Sequence, residues 1–96
     1  MIFLLNIVFR FDANIDQSAR SDLLQREHAM AKTHMTAGKL YRIWRVPAQQ
    51  GSWSIWDVDT PTELHEIVSS LPLYPWMTVS VHALADHPVS ENAFVD

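Results

Sequence analysis

Residues 2–11, IFLLNIVFRF, place Phe3, Leu5, Ile7, Phe9 and Phe11 at every second position. A period of two marks a strand with one face against a core. The alternate positions, Ile2, Leu4, Asn6, Val8 and Arg10, are mixed in character, which predicts a face that is only partly covered. DANID then supplies a turn cluster, and the period changes. From residue 16 or 18 to residue 37, Ala19, Leu23, Leu24, Glu27, Met30, Ala31, His34 and Met35 recur at the spacing of one helical face, with Gly38 as the left-handed stop.

Residues 39–47, KLYRIWRVP, predict a second strand, AQQG a short loop, and residues 52–58, SWSIWDV, a third strand that forms a hairpin with the second. Thr60-Pro61-Thr62-Glu63 opens a short second helix: Thr60 is the N-cap, Pro61 takes the first helical position and Glu63 closes a capping box. The helix ends before SLPLYP, a loop holding Pro72 and Pro75. Residues 76–85 predict the last strand, with Met77, Val79, Val81 and Ala83 on its apolar face and Thr78, Ser80 and His82 opposite; after His87 no periodicity remains. The order β-α-β-β-α-β is the ferredoxin-like α+β arrangement, a four-stranded antiparallel sheet with both helices on one face. The face without helices would carry Leu4, Val8, Trp44 and Trp76. Such a patch is large for a lone subunit, so a homo-oligomer is expected.

Length adds that residues 1–96 form one domain, too small to bury its apolar surface well alone. At 48% hydrophobic and 19% charged residues the composition is that of a globular protein. The net charge of −4, with Lys and Arg scattered singly, argues against nucleic acid, which requires a clustered basic face. The lack of cysteine excludes disulfides and thiolate metal sites and is compatible with a reducing cytoplasm. The opening MIFLLNIVF has neither a basic region before it nor a small-residue cleavage site after it, so a signal peptide is not expected. No apolar run approaches the roughly 20 residues of a membrane helix.

The candidate chemistry centres on Glu27, a carboxylate on a stripe that should be apolar. One reading pairs it with Lys39, Arg10 or an arginine of the second strand, as buried acids usually are paired. The other aims it into a pocket, where desolvation raises its pKa and makes it a useful proton acceptor. Spacing does not separate the two. Five histidines are present, but REH and ELHE do not put two ligands on one helical face, and no metal is expected. His28 follows Glu27 and points roughly 100° away around the helix, toward the pocket mouth, a subunit boundary or solvent. Ser52 and Ser54 lie outside any nucleophile elbow, and with Gly38 and Gly51 as the only glycines there is no phosphate-binding loop. The aromatics of LYRIWRV and SWSIWDV fit a core or an interface better than a stacking platform. The residues by themselves do not name a reaction.

Taken together, QREHA, GKLYRIWRV, SIWDVDTPTELHEIVSSLPLYPWM and ALADHPVS resemble, in order, the signatures of the muconolactone isomerase family. The Leu-Pro-Leu-aromatic-Pro-aromatic-Met run, here Leu71 to Met77, is the most specific of these. The resemblance implies a ferredoxin-like subunit of a homodecamer, a cytoplasmic enzyme of aromatic catabolism in the 3-oxoadipate route, and no metal or organic cofactor. It implies a small butenolide substrate with an acetate arm, and it puts the family's proton-handling glutamate on Glu27. Departures from the family pattern include His28 for lysine, Gln50-Gly51-Ser52-Trp53 for Tyr-Ala-Asn-Tyr, and the apolar Leu4 and Val8, with Asn6 between them, in the first strand.

The implied chemistry is removal of a proton from the ring carbon beside the lactone oxygen, giving a dienolate. Return of the proton at another carbon is an allylic isomerisation; loss of chloride from the adjacent carbon gives a dienelactone. Backbone N–H groups, Ser52 or Trp53 are candidate donors to the lactone carbonyl. Arg10, Lys39 and Arg42 are candidates for the acetate arm, and His28 is a further substrate-binding candidate. Glu27 stays while its surroundings change, which favours the chloromuconolactone dehalogenase branch over muconolactone isomerase itself. A non-catalytic ligand-binding module and a cofactor-free oxygenase-like member of the dimeric α+β-barrel group are the readings from other classes.

Overall fold

The computed structural model describes residues 1–90. The elements follow the expected order: β1 (Ile2–Phe9), α1 (Gln17–Thr36), β2 (Leu40–Arg45), β3 (Gly51–Asp57), α2 (Pro61–Ser69) and β4 (Met77–Leu84), with single 3-10 turns at Tyr74–Trp76 and Pro88–Ser90. The strands form one sheet in the order β2-β3-β1-β4 with antiparallel pairing throughout, the ferredoxin-like topology. The final segment of the tail, residues 91–96, lies outside the described residues.

Alternation along the central strands sets the core. Phe3, Leu5 and Ile7 of β1 and Trp56 of β3 point to one face, where they are buried with Leu40, Leu64, Val68 and Leu71. Burial of each such side chain stabilises by about 1.5–3 kcal/mol. The two helices share this face unequally. α2 starts close to expectation: the Thr60 side chain accepts from Glu63 N at 3.1 Å and Pro61 follows the cap, but Glu63 Oε1 accepts from Asp59 N, one residue before the cap, rather than from Thr60 N. It seats Leu64 and Val68 fully in the core. α1 is capped by Asp16, whose side chain accepts from Ala19 N, and Gly38 at φ +78° ends it. Yet α1 buries no residue completely. Leu23, Glu27, Met30, Ala31 and His34 are half-covered, while Ala19, Leu24 and Met35 are exposed, so the buried stripe is narrower than its sequence pattern. A long helix held off the sheet leaves space beneath it.

Two features differ from the sequence expectation. β1 ends at Phe9 rather than residue 11, because Phe11 turns to pack against Phe9 and Trp76, with ring centroids 5.7 and 5.5 Å away. Trp76 is therefore not on the open face of β4; it closes a 3-10 turn that Pro75 favours. In β2 a bulge separates Leu40, opposite Trp56, from Arg42, opposite Ile55. The extra residue inverts the alternation, so Leu40, Ile43 and Arg45 share the helix-bearing face while Arg42 and Trp44 lie on the open one.

Candidate active site

The space under α1 is a cavity of about 410 Å³. α1 contributes Leu24, Glu27, His28 and Ala31; the sheet contributes Ile7, Phe9, Leu40, Ile43, Arg45, Ser52, Ser54, Trp56 and Met77; Leu71 and Leu73 close it from the last loop. The walls are mostly apolar, with a few polar groups facing inward, the usual make-up of a small-molecule site. Gly51 is required at its edge, since a Cβ there would stand 2.5 Å from the Ile7 carbonyl oxygen. A second cavity of about 390 Å³ adjoins it along β2 and shares His28, Ala31, Ile43, Arg45, Gly51 and Ser52.

Glu27 lines the main cavity without a cationic partner among the described residues. Its Oε1 accepts from the backbone N–H of Leu73 at 2.9 Å. Burial pushes its pKa above the usual glutamate value, and the Leu73 N–H only partly offsets that. Oε2 has no hydrogen-bond partner among the described residues, which leaves one oxygen anchored and the other free to take a proton. The pairing of Glu27 with Lys39 considered above does not occur, because Lys39 Nζ lies 3.3 Å from Glu63 Oε1. On the facing strand Ser54 is fully buried, and its Oγ accepts from Trp56 Nε1 at 2.9 Å. The serine's own hydroxyl hydrogen has no acceptor among the described residues.

Of the sequence candidates, Glu27, His28 and Ser52 come together around the cavity. The others lie elsewhere. Arg10 is exposed and outside it; Arg42 sits over the Trp44 ring at 5.2 Å; Trp53 stacks on His82 across the open face, with centroids 6.3 Å apart. The β2 bulge accounts for Arg42, and strand alternation, which separates Trp53 from Ser52 and Ser54, accounts for Trp53. Arg45, Trp56 and the Leu73 N–H were not singled out from the sequence, and Ser54 was weighed there only as a nucleophile. Ser54 and Trp56 share the parity of Ser52 in SWSIWDV, a signal that was present; a main-chain donor and a bulge leave none. Among the described residues no three His, Asp or Glu side chains are placed to hold a metal, and no helix is long and apolar enough to cross a membrane.

Comparison with known proteins bears on this geometry. A family model for muconolactone delta-isomerase matches residues 1–90. The chain is 38% identical over 85 residues to a muconolactone Delta-isomerase of Acinetobacter baylyi, covering 84% of this chain and 88% of that one. It superimposes on a crystal structure of muconolactone isomerase with a TM-score of 0.87 at 26% identity, covering 92% of each chain. A 5-chloro-2-hydroxyhydroquinone dehydrochlorinase from Burkholderia phenoliruptrix AC1100 shares the fold alone: TM-score 0.64, 16% identity, 91% of this chain and 96% of that one.

Proposed function

The chain belongs to the muconolactone delta-isomerase family, and on that premise we propose that it moves a proton on a muconolactone-type butenolide with Glu27 as the base. The observation that carries this is the anchored, half-buried Glu27 carboxylate with one oxygen open to an apolar cavity. Oε2 takes the proton from the ring carbon that bears the ring oxygen. The electron pair runs through the conjugated double bond to the lactone carbonyl, whose growing negative charge is met by the Ser54 hydroxyl, backed by Trp56, and by Ser52. Glu27, now neutral, returns the proton to the carbon beside the carbonyl. The double bond has then moved one position, and no atom has been gained or lost. No cofactor is required, because a carboxylate and neutral donors suffice.

Isomerisation is the first reading because the Acinetobacter baylyi relative and the superimposed structure both carry that name. Elimination is the second. His28, Gln50, Gly51 and Ser52, which depart from the family pattern, all line the cavity. With chloride on the carbon next to the ring, the same dienolate expels it and forms an exocyclic double bond, Glu27 keeping the proton until solvent removes it. Assembly of the subunits into a cytoplasmic homodecamer is part of the proposal. Its support is the exposure of Val8, Trp44 and Trp53 on the open face of the sheet.

The two reactions are separated by supplying muconolactone and 5-chloromuconolactone to the purified protein. Isomerisation of the first with no chloride from the second establishes the isomerase; rapid chloride release establishes the dehalogenase. Turnover of neither compound would remove the proposal.

A further inference from the structure

A cavity that holds one carboxylate is a poor host for another unless a cation stands nearby. We infer that Arg45 is the specificity-determining residue of the site, docking an anionic carboxylate arm of the substrate at the end of the cavity away from Glu27's anchor. This rests on the reading of Glu27 as a base acting on a lactone.

Three observations lead to Arg45. First, the bulge between Leu40 and Arg42 turns Arg45 onto the helix-bearing face, opposite Ser52, where it lines the main cavity and the adjoining one. It thus stands at their junction. Second, among the described residues it is the one lysine or arginine lining the main cavity. Third, its guanidinium forms no hydrogen bond, ion pair or ring contact with any described residue, whereas most of the chain's other cations are occupied or distant. Arg26 pairs with Asp22, Lys39 with Glu63, Arg20 covers Phe11 and Arg42 covers Trp44; Arg10 lies outside both cavities, and Lys32 reaches only the second.

The chemistry of the group fits the task. A guanidinium stays charged across the working pH range and presents a planar fork that matches a carboxylate with two parallel hydrogen bonds. His28 lines the same two cavities but offers single ring N–H donors rather than a planar fork. Gln49, also at the rim, adds a neutral amide donor. Fixing the arm at Arg45 orients the ring, so that a single carbon is presented to Glu27. An unpaired guanidinium at the cavity mouth therefore predicts a substrate with a carboxylate, and predicts discrimination against its neutral derivatives.

The test measures binding apart from turnover. In a Glu27→Gln background, the affinity for muconolactone and for its methyl ester is measured by calorimetry with and without Arg45→Gln. The acid should bind roughly 10- to 100-fold more weakly when Arg45 is replaced, the range for a charge-assisted pair at a partly exposed site, while the ester changes little. Arg45→Lys, which keeps the charge and loses the fork, should fall between. Acid binding that ignores Arg45→Gln, or acid and ester weakened alike, overturns the inference; so does failure of Glu27→Gln to bind either compound. Should Arg45→Gln not fold, equal affinity of the Arg45-containing protein for acid and ester overturns it. Arg45-dependent binding by a chain that never turns the lactone over would leave the docking role standing and remove the base.

Discussion

Oε1 of Glu27 on α1 accepts a hydrogen bond from the backbone N–H of Leu73, 46 positions further along the chain, at 2.9 Å. The contact joins the long helix to the loop before β4 and leaves Oε2 without a hydrogen-bond partner among the described residues. It also explains how an acid is tolerated on a stripe that should be apolar: one carboxylate oxygen is satisfied by the main chain, and the other stays available for chemistry.

The pH dependence follows from the two opposing influences on Glu27. Burial raises its pKa and the Leu73 N–H lowers it, with burial prevailing over the ordinary value of 4.5. The base must be ionised to act, so kcat/KM should fall on the acid side with a midpoint above 4.5. An acid limb at or below that value would mean that another group is titrating.

The same shift sets a sign for stability. A carboxyl group whose pKa is raised by folding binds its proton more tightly in the folded state. It therefore favours folding below its unfolded pKa, and that contribution is lost as pH rises through the folded value. At pH 8 Glu27→Gln should abolish turnover and raise the melting temperature by roughly a few degrees, since the amide oxygen can still accept from Leu73. Thermal unfolding with and without the substitution checks this, and the advantage should vanish near pH 4.

Ser54→Ala removes the hydroxyl that accepts from Trp56 Nε1 and leaves a buried donor without a partner. Stability should fall by about 1–3 kcal/mol and kcat by roughly 10- to 100-fold. Trp56→Phe on the Ser54→Ala background should restore part of the stability without restoring the rate. Denaturant melts and steady-state kinetics on the single and double variants separate the two effects.

Gly51→Ala forces a Cβ to within 2.5 Å of the Ile7 carbonyl oxygen, between two strands that both line the cavity. The ladder must shift, at a cost of about 1–3 kcal/mol, and activity should suffer with it. Thr60→Ala, distant from the cavity, should cost about 1 kcal/mol through loss of the helix cap and leave KM unchanged.

Local signals made much of this molecule legible. Thr60, Pro61 and Glu63 specify a helix start through neighbours in sequence, and the helix starts there, with Glu63 reaching back one residue past the cap. The period of two in β1 placed Phe3, Leu5 and Ile7 in the core for the same reason. Glu27 stood out because it broke the pattern of its own helix. What stayed hidden depends on partners far along the chain. A bulge in β2 exchanges Arg42 for Arg45 at the cavity, and simple alternation from Leu40 predicts the opposite. The Leu73 donor is a backbone group, the same in every residue but proline. Trp76 was misplaced because Pro75 and a 3-10 turn delay the start of β4 by one residue.

The central claim is that the Glu27 carboxylate removes a hydrogen from the lactone ring. Muconolactone deuterated at the ring carbon beside the ring oxygen tests it most directly, followed by NMR with the native protein and with Glu27→Gln. The account predicts that the native protein breaks the carbon–deuterium bond, more slowly than carbon–hydrogen, and that folded Glu27→Gln leaves it intact. Loss of the deuteron at comparable rates with both proteins would contradict it.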